Sequence, residues 1–413
     1  MRKTLRKWLK SGPKLGIDHI QLVGLSVVAS GDVHWTRRVT WFLFLCCGVG
    51  LAIFYIGIQV SLFSAGYIGV TVHASSNTTT HLPAITVCAE QKYDFNNLHR
   101  LWLQYRPGSA MPEDAEMQLL DVANLSLSDI WTRGGYEKKE LVRRCLLGPG
   151  TTCEDLGSWS SVFTEYGLCF TYTGGMTRLD GPLYGLYLQL NYSRHPFGQI
   201  FKGYKIAIHD IRSPAAFRIN DGFKCPVRNE KFGCYLLRSV AMQTISQLNR
   251  RNAPCTSVLG YDMQACLSSC VYSEVARRAG CRLPYMDVSW PECRGRKQVE
   301  NALNVAKEQI FSGKFNMSLC NCPKPCTYVM YTEHGDTTWN YVRTSTVKVY
   351  LTSIEKHSLV ETYTYVGADL GGDIGGIIGL MLGASVLTAV QVLEVITSRS
   401  SKFLAARMKT GTR

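Results

Sequence analysis

Hydrophobic positions are unevenly spread along this chain. Residues 39–63 form a run of 25 without a charge, and residues 374–393 form a second of 20. At 1.5 Å per residue, the first run as a helix extends roughly 37 Å, more than a bilayer's hydrocarbon core requires. A secretory signal would begin nearer the start and carry a shorter apolar run of about 7–15 residues. Both runs are therefore read as membrane spans and not as buried core helices. Between them the pattern changes to short elements. Residues 183–192 and 204–209 have strand composition, and 344–352 alternates apolar Val347, Val349 and Leu351 with polar neighbours, as a half-buried strand does. Residues 263–279 predict a helix ending at Gly280, and 297–311 predict another. Strands far apart in sequence lead toward both spans, which suggests a sheet next to the membrane with disulfide-tied helices beside it.

Composition narrows the class. At 46% hydrophobic and 11% aromatic, the chain is no disordered polymer, and charged residues make up only 18%. The net charge of +14 raises nucleic acid as a partner, but its location removes that reading. Residues 1–38 hold eight Lys/Arg against Asp18 and Asp32, a net of +6, and 397–413 hold five Lys/Arg and no acid, a net of +5. Basic flanks stay cytoplasmic, and two spans put both ends on one side. The N-terminal tail also offers a basic surface to anionic membrane lipid, worth about 1 kcal/mol per residue near the leaflet. A topology signal is the simpler account of it.

The resulting organisation is a cytoplasmic tail (1–38), a first span (39–63), an extracellular disulfide-rich domain (64–370), a second span (371–396) and a cytoplasmic tail (397–413). The sequons at Asn77, Asn124, Asn191 and Asn316 all fall in the extracellular part, as do 14 of the 16 cysteines. Cys46 and Cys47 lie in the first span as small apolar residues or palmitoylation candidates. Fourteen is even and permits seven disulfides, but spacing does not choose their connectivity. The Cys320-x-Cys322-x3-Cys326 and Cys266-x3-Cys270 spacings are compatible with metal ligands, yet no paired His accompanies them, and no metal or other cofactor is expected.

Chemistry concentrates in the second span. Gly371, Gly375, Gly379 and Gly383 recur every fourth residue, giving a helix face without Cβ atoms. Such a face suits close helix packing, or a pore whose narrow part is backbone and small side chains. In the pore reading, carbonyl groups and the Ser385 hydroxyl replace an ion's hydration shell, and Asp373 at the outer mouth concentrates cations.

These residues make the chain resemble the degenerin/epithelial sodium channel/acid-sensing ion channel family. GGDIGGIIGLMLGASVLT at 371–388 looks like its second-span signature, with Gly383-Ala384-Ser385 as the filter. LPAITVC at 82–88 resembles the stretch that follows its first span, and the cysteines from 255 to 326 follow the order of its thumb. The resemblance implies an α+β membrane protein with two transmembrane helices. It implies a trimer, homomeric or mixed with related subunits, whose ectodomain has a palm sheet, helical thumb and finger. Its permeant ion would be Na⁺. It also implies the pairs Cys88–Cys169, Cys145–Cys153, Cys255–Cys326, Cys266–Cys322, Cys270–Cys320 and Cys281–Cys293, leaving Cys225 and Cys234 for each other. Gly372 matches the position where bulk holds the pore open, Gly379 matches the amiloride contact, and Gly375 and Gly376 line the same mouth and gate.

The departures concern gating. The His-Gly motif before the first span aligns with Val23-Gly24, so the Gly is kept and the His is not. The acid after the filter aligns with Gln391, while Glu394 keeps a later one. The His linked to proton sensing aligns near Ile68, with His73 and His81 nearby. A sodium-selective, amiloride-sensitive channel is the leading reading, with an extracellular ligand such as a peptide or protons as the candidate stimulus. A non-conducting or obligate hetero-oligomeric subunit, or a cell-surface receptor, is the alternative. An ATP-gated trimer would need a basic triphosphate set that is absent. Enzymatic motifs are missing too, and the His209-Asp210 pair is read as part of a palm strand.

Overall fold

The computed structural model describes residues 27–28, 34–76, 79–122, 125–191, 202–227, 233–335, 337–340, 344–385, 387–388, 390–391, 393–394 and 396–397. The chain divides into two compact units, one formed by residues 70–361 and one by the two flanking segments. Val23, Gly24, Asn77 and Asn124 lie outside the described residues, as do 1–26 and 398–413.

In the flanking unit the first apolar run is a helix, Trp35–Ala65, of 31 residues. It begins before the uncharged run and takes in Arg37 and Arg38. The Arg38 guanidinium donates to the Val28 carbonyl at 3.0 and 3.2 Å. Gly66 closes the helix in the left-handed conformation (φ 61°), a geometry that suits glycine. Among the described residues this helix is long and apolar enough to cross a membrane. Cys46 and Cys47 on it are free and exposed.

The unit of residues 70–361 is built on two sheets. The larger, mixed sheet runs in the order Ile68–Ser75, Lys356–Tyr363, Gly233–Ser246, Ser345–Leu351, Leu186–Leu190, Val142–Leu147. Gly233–Ser246 also pairs antiparallel with Thr327–His334 and Thr337–Asn340. Its 14 residues reach far enough for all these partners in succession. The smaller sheet is antiparallel, in the order Phe223–Pro226, Gly203–His209, Ala84–Ala89, Gly167–Thr173, Ser158–Thr164. Ala84–Ala89 is buried at every position, which accounts for its continuous run of small and apolar residues. Ile85, Val87, Tyr172, Leu188, Ile206, Val347 and Val349 from the two sheets share one apolar core.

A second core is helical. Phe95–Tyr105, Ala115–Val122 and Leu127–Gly134 contribute Leu98, Trp102, Leu119, Ile130 and Trp131. Met263–Ala279 and Gly295–Ala306 add Val271, Val275, Val299 and Ala302. Trp131 stacks on Tyr285 with ring centroids 6.4 Å apart. The helix Met263–Ala279 has the expected bounds. Asp262 caps it by accepting from Ala265 N–H at 2.8 Å, and Gly280 ends it at φ 79°. The next helix starts at Gly295 instead of 297, and its last turn, Lys307–Phe311, is π-helical.

Seven disulfides staple this unit: Cys88–Cys169, Cys145–Cys153, Cys225–Cys234, Cys255–Cys326, Cys266–Cys322, Cys270–Cys320 and Cys281–Cys293. They are the same seven pairs that the resemblance implies, so the closely spaced thiols are crosslinks. His209 ends a buried strand with both ring nitrogens engaged, one with Thr86 Oγ1 at 2.8 Å and the other with the Asp210 carbonyl at 2.8 Å. Burial pushes its pKa below the ordinary histidine range, so the ring is neutral. The Asp210 carboxylate binds Arg212 instead of the imidazole.

The disulfides differ in what they constrain. Cys255–Cys326, Cys266–Cys322 and Cys270–Cys320 are nested, so opening the middle one frees only residues 256–269 and 321–325, which the outer and inner pairs still enclose. Cys88–Cys169 closes a separation of 81 with no such backup. Chain entropy gives it up to about 4.5 kcal/mol. Replacing Cys88 and Cys169 by Ala should lower the melting temperature of the solubilised chain clearly more than replacing Cys266 and Cys322. Thermal unfolding of the two double variants checks this, and equal losses would contradict it.

Candidate functional site

The glycine-rich run forms a helix, Gly367–Leu382, of 16 residues. It starts earlier than the expected 371 because Asp369 accepts the Val366 N–H at 2.9 Å and satisfies an otherwise orphan donor. It also stops earlier than the expected 396. Gly383 is left-handed (φ 63°), and its N–H closes on the Gly379 carbonyl at 3.0 Å. Gly383, Ala384 and Ser385 are not helical, and helical residues resume among 387–397. Where one continuous helix over 371–396 was expected, the described residues show a helix that ends at Leu382, non-helical residues 383–385, and helical residues again from 387. The fourth glycine of the stripe is a helix C-cap.

The break falls on the candidate filter. Ser385 N–H donates to Thr388 Oγ1 at 3.1 Å, and Thr388 is buried. The sequence reading did not single out Thr388. Its hydroxyl is the group that ties the non-helical segment to the following turn. Gly379 and Ala384 are also brought together: a Cβ on Gly379 would lie 3.6 Å from the Ala384 carbonyl oxygen. The candidate amiloride contact and the candidate filter are therefore neighbours.

The upper glycines behave differently. A Cβ on Gly371, Gly372, Gly375 or Gly376 would meet nothing within 4 Å. Within this chain, then, these glycines are not a packing seam. The close helix approach occurs instead at Gly48, where a Cβ would sit 2.9 Å from the Met381 carbonyl oxygen. A sequence signal for Gly48 was present, since it is one of the few side-chain-free positions in an otherwise bulky apolar run.

Asp373 is exposed, and its Oδ2 accepts the Tyr365 hydroxyl at 2.6 Å. Tyr365 in turn meets Phe63 edge-on with centroids 6.4 Å apart. Glu394 is exposed; its backbone carbonyl accepts from Thr397 Oγ1 at 3.0 Å. Gln391 is half-buried. Asn191 and Asn316 are exposed, and Asn316 Oδ1 accepts from Ser318 N–H at 3.0 Å. No group of three or more metal-ligating side chains occurs among the described residues.

An apolar helix, a glycine-rich helix interrupted inside an uncharged run, and a β-rich domain held by disulfides are the parts of a membrane channel subunit. The amiloride-sensitive sodium channel family matches residues 17–395. Acid-sensing ion channel 4-B of Danio rerio is 24% identical over 425 residues, covering 87% of this chain and 71% of that protein. Acid-sensing ion channel 1A of Danio rerio is 21% identical, covering 76% and 69%. Acid-sensing ion channel 1 of Gallus gallus is 21% identical, covering 75% and 65%. Among solved structures, a proton-activated chloride channel aligns over 87% of this chain and 98% of its own, with a TM-score of 0.35 and 8% identity. The chain belongs to the amiloride-sensitive sodium channel family.

The Tyr365 bond has a measurable consequence. Tyr365→Phe removes the donor and leaves the Asp373 carboxylate to mobile cations. Unitary inward conductance in low-salt solution, where a fixed charge is least screened, should rise in Tyr365→Phe and fall in Asp373→Asn. Identical conductance in both variants and the parent would contradict this role for the pair.

Proposed function

We propose that this chain is one subunit of a trimeric, sodium-selective, amiloride-sensitive cation channel of the plasma membrane. Both termini are cytoplasmic, and the residue 374–393 region lines the pore. The interruption at Gly383–Ser385 carries the reading. Backbone inside a membrane that leaves the helix must be satisfied by protein or by water, because hydrocarbon offers no partner. A break there suits a segment that faces an aqueous path, where its carbonyls and the Ser385 hydroxyl can replace ion hydration. The open face at Gly371, Gly372, Gly375 and Gly376 suits copies of the same helix around an axis. A membrane anchor would need neither feature.

In this reading Gly383, Ala384 and Ser385 form the filter and Asp373 attracts cations at the outer mouth. Gly379 admits amiloride, a cationic drug, into a vestibule with no side-chain walls. Gln391 weakens the inner anionic ring relative to an acid, and Glu394 retains one. Asn77, Asn124, Asn191 and Asn316 carry glycans, and the basic tails contact membrane lipid. Val23 and Gly24 are the remnant of the N-terminal gating motif. An extracellular ligand opens the pore, and no cofactor takes part.

Recording from cells that express the chain tests this reading. Gly372→Phe should give a standing inward current that disappears when external Na⁺ is replaced by a large organic cation and that amiloride blocks. A side chain at Gly379 should weaken that block. Gly383→Ala places an L side chain at a left-handed position, at a cost of roughly 1–2 kcal/mol, and should reduce Na⁺ over K⁺ selectivity. Absence of current in Gly372→Phe, alone and with a related subunit, would refute conduction. Current only with a related subunit would assign the chain to mixed trimers.

A further inference from the structure

The β-rich unit contains a cavity of about 350 Å³ unrelated to the candidate pore segment. It lies between the end of the strand Gly203–His209, the strand Thr327–His334 and the entry to the helix Met263–Ala279. Its volume is at the small end of ligand pockets, which run from about 300 to 1,000 Å³. Most charged groups on its walls are already engaged. Arg212 binds Asp210 at 2.9 Å, and Arg218 binds Asp221 at 2.9 Å. Asp262 accepts from Ala265 N–H at 2.8 Å and from Ser213 Oγ at 2.9 Å. Lys324 is exposed, and His209 is neutral with both nitrogens engaged.

Two wall groups remain. Among the described residues, Glu333 Oε2 and the Tyr261 hydroxyl are shielded from solvent and have no hydrogen-bond partner. A shielded polar atom without a partner is destabilising, more so when charged, so two on one cavity mark a place where a polar ligand head would be stabilised. Tyr328 and Tyr331 also line the cavity. A carboxylate oxygen without a hydrogen bond, beside tyrosines, suits a ligand with an ammonium head and an aromatic or aliphatic body. The head gains a charge-assisted hydrogen bond and cation–π attraction, while the body fills the apolar remainder.

We propose that this cavity is a binding site for a small primary organic ammonium, its head held by Glu333 and the Tyr261 hydroxyl and its body against Tyr328 and Tyr331. Burial raises the Glu333 pKa to about 7, against the opposing pull of Arg238 and Arg218. Arg238 itself donates to the Leu237 carbonyl and to Thr337 Oγ1 and lies 4.0 Å from the Phe223 ring centroid. Burial likewise raises Tyr331 to about 12, so its hydroxyl stays neutral. A bound ammonium favours the ionised carboxylate, so binding releases a proton near neutrality and weakens as pH falls through the Glu333 pKa.

The test is calorimetric titration of the solubilised full chain with phenethylammonium, and with phenethyl alcohol as its neutral counterpart. One saturable site per chain is expected for the ammonium and none for the alcohol. Glu333→Gln should weaken binding about tenfold or more and remove its pH dependence, and Tyr261→Phe should weaken it severalfold. If Glu333→Gln does not fold, Tyr261→Phe and the wild-type pH dependence decide. Absence of saturable binding, or binding unchanged by these substitutions and by pH, overturns the proposal. The first outcome marks a water-filled void and the second a site elsewhere, such as the pore. Neither outcome bears on conduction.

Discussion

Hydrocarbon offers no partner to a peptide N–H or C=O, and the rest of this architecture depends on that constraint. The helix Trp35–Ala65 meets it with internal hydrogen bonds. The glycine-rich helix meets it only as far as Leu382, then breaks inside a run of uncharged residues. Local contacts satisfy part of the break, through Gly383 N–H on Gly379 and Ser385 N–H on Thr388. The close approach at Gly48, next to the Met381 carbonyl, needs a residue without a side chain at that point. In the proposed channel the remainder of the break is satisfied by water and ions, which would turn a backbone problem into a conduction path.

The β-rich unit answers a different problem. Its two sheets share one core, its helices form another, and several long connections join them. Disulfides reduce the entropy such connections would recover on unfolding. Three nested pairs fix the base of Met263–Ala279 next to the start of Thr327–His334. That same junction borders the Glu333 cavity.

Much of this was legible in the sequence, for identifiable reasons. Period-two alternation located Ser345–Leu351 to within a residue, and Gly280 marked the end of Met263–Ala279. The disulfide pairs came through family resemblance and not through spacing, since spacing leaves every connectivity open. The misreading was at Gly383. Glycine serves both as a small residue on a packed helix face and as a left-handed terminator, and a four-residue repeat favours the first role. Only the backbone angle distinguishes them. Thr388, Tyr365, Tyr261 and Glu333 carried no sequence signal, because their meaning depends on which distant group the fold places opposite them.

In the proposed channel, residues 383–385 face water inside the membrane. Thiol accessibility tests it most directly, in a background where Cys46 and Cys47, the free cysteines among the described residues, are replaced by Ser. With Gly372→Phe holding the pore open, Ser385→Cys should react rapidly with a membrane-impermeant cationic thiol reagent, and the sodium current should fall irreversibly. An introduced thiol that stays unmodified while the channel conducts would contradict the account.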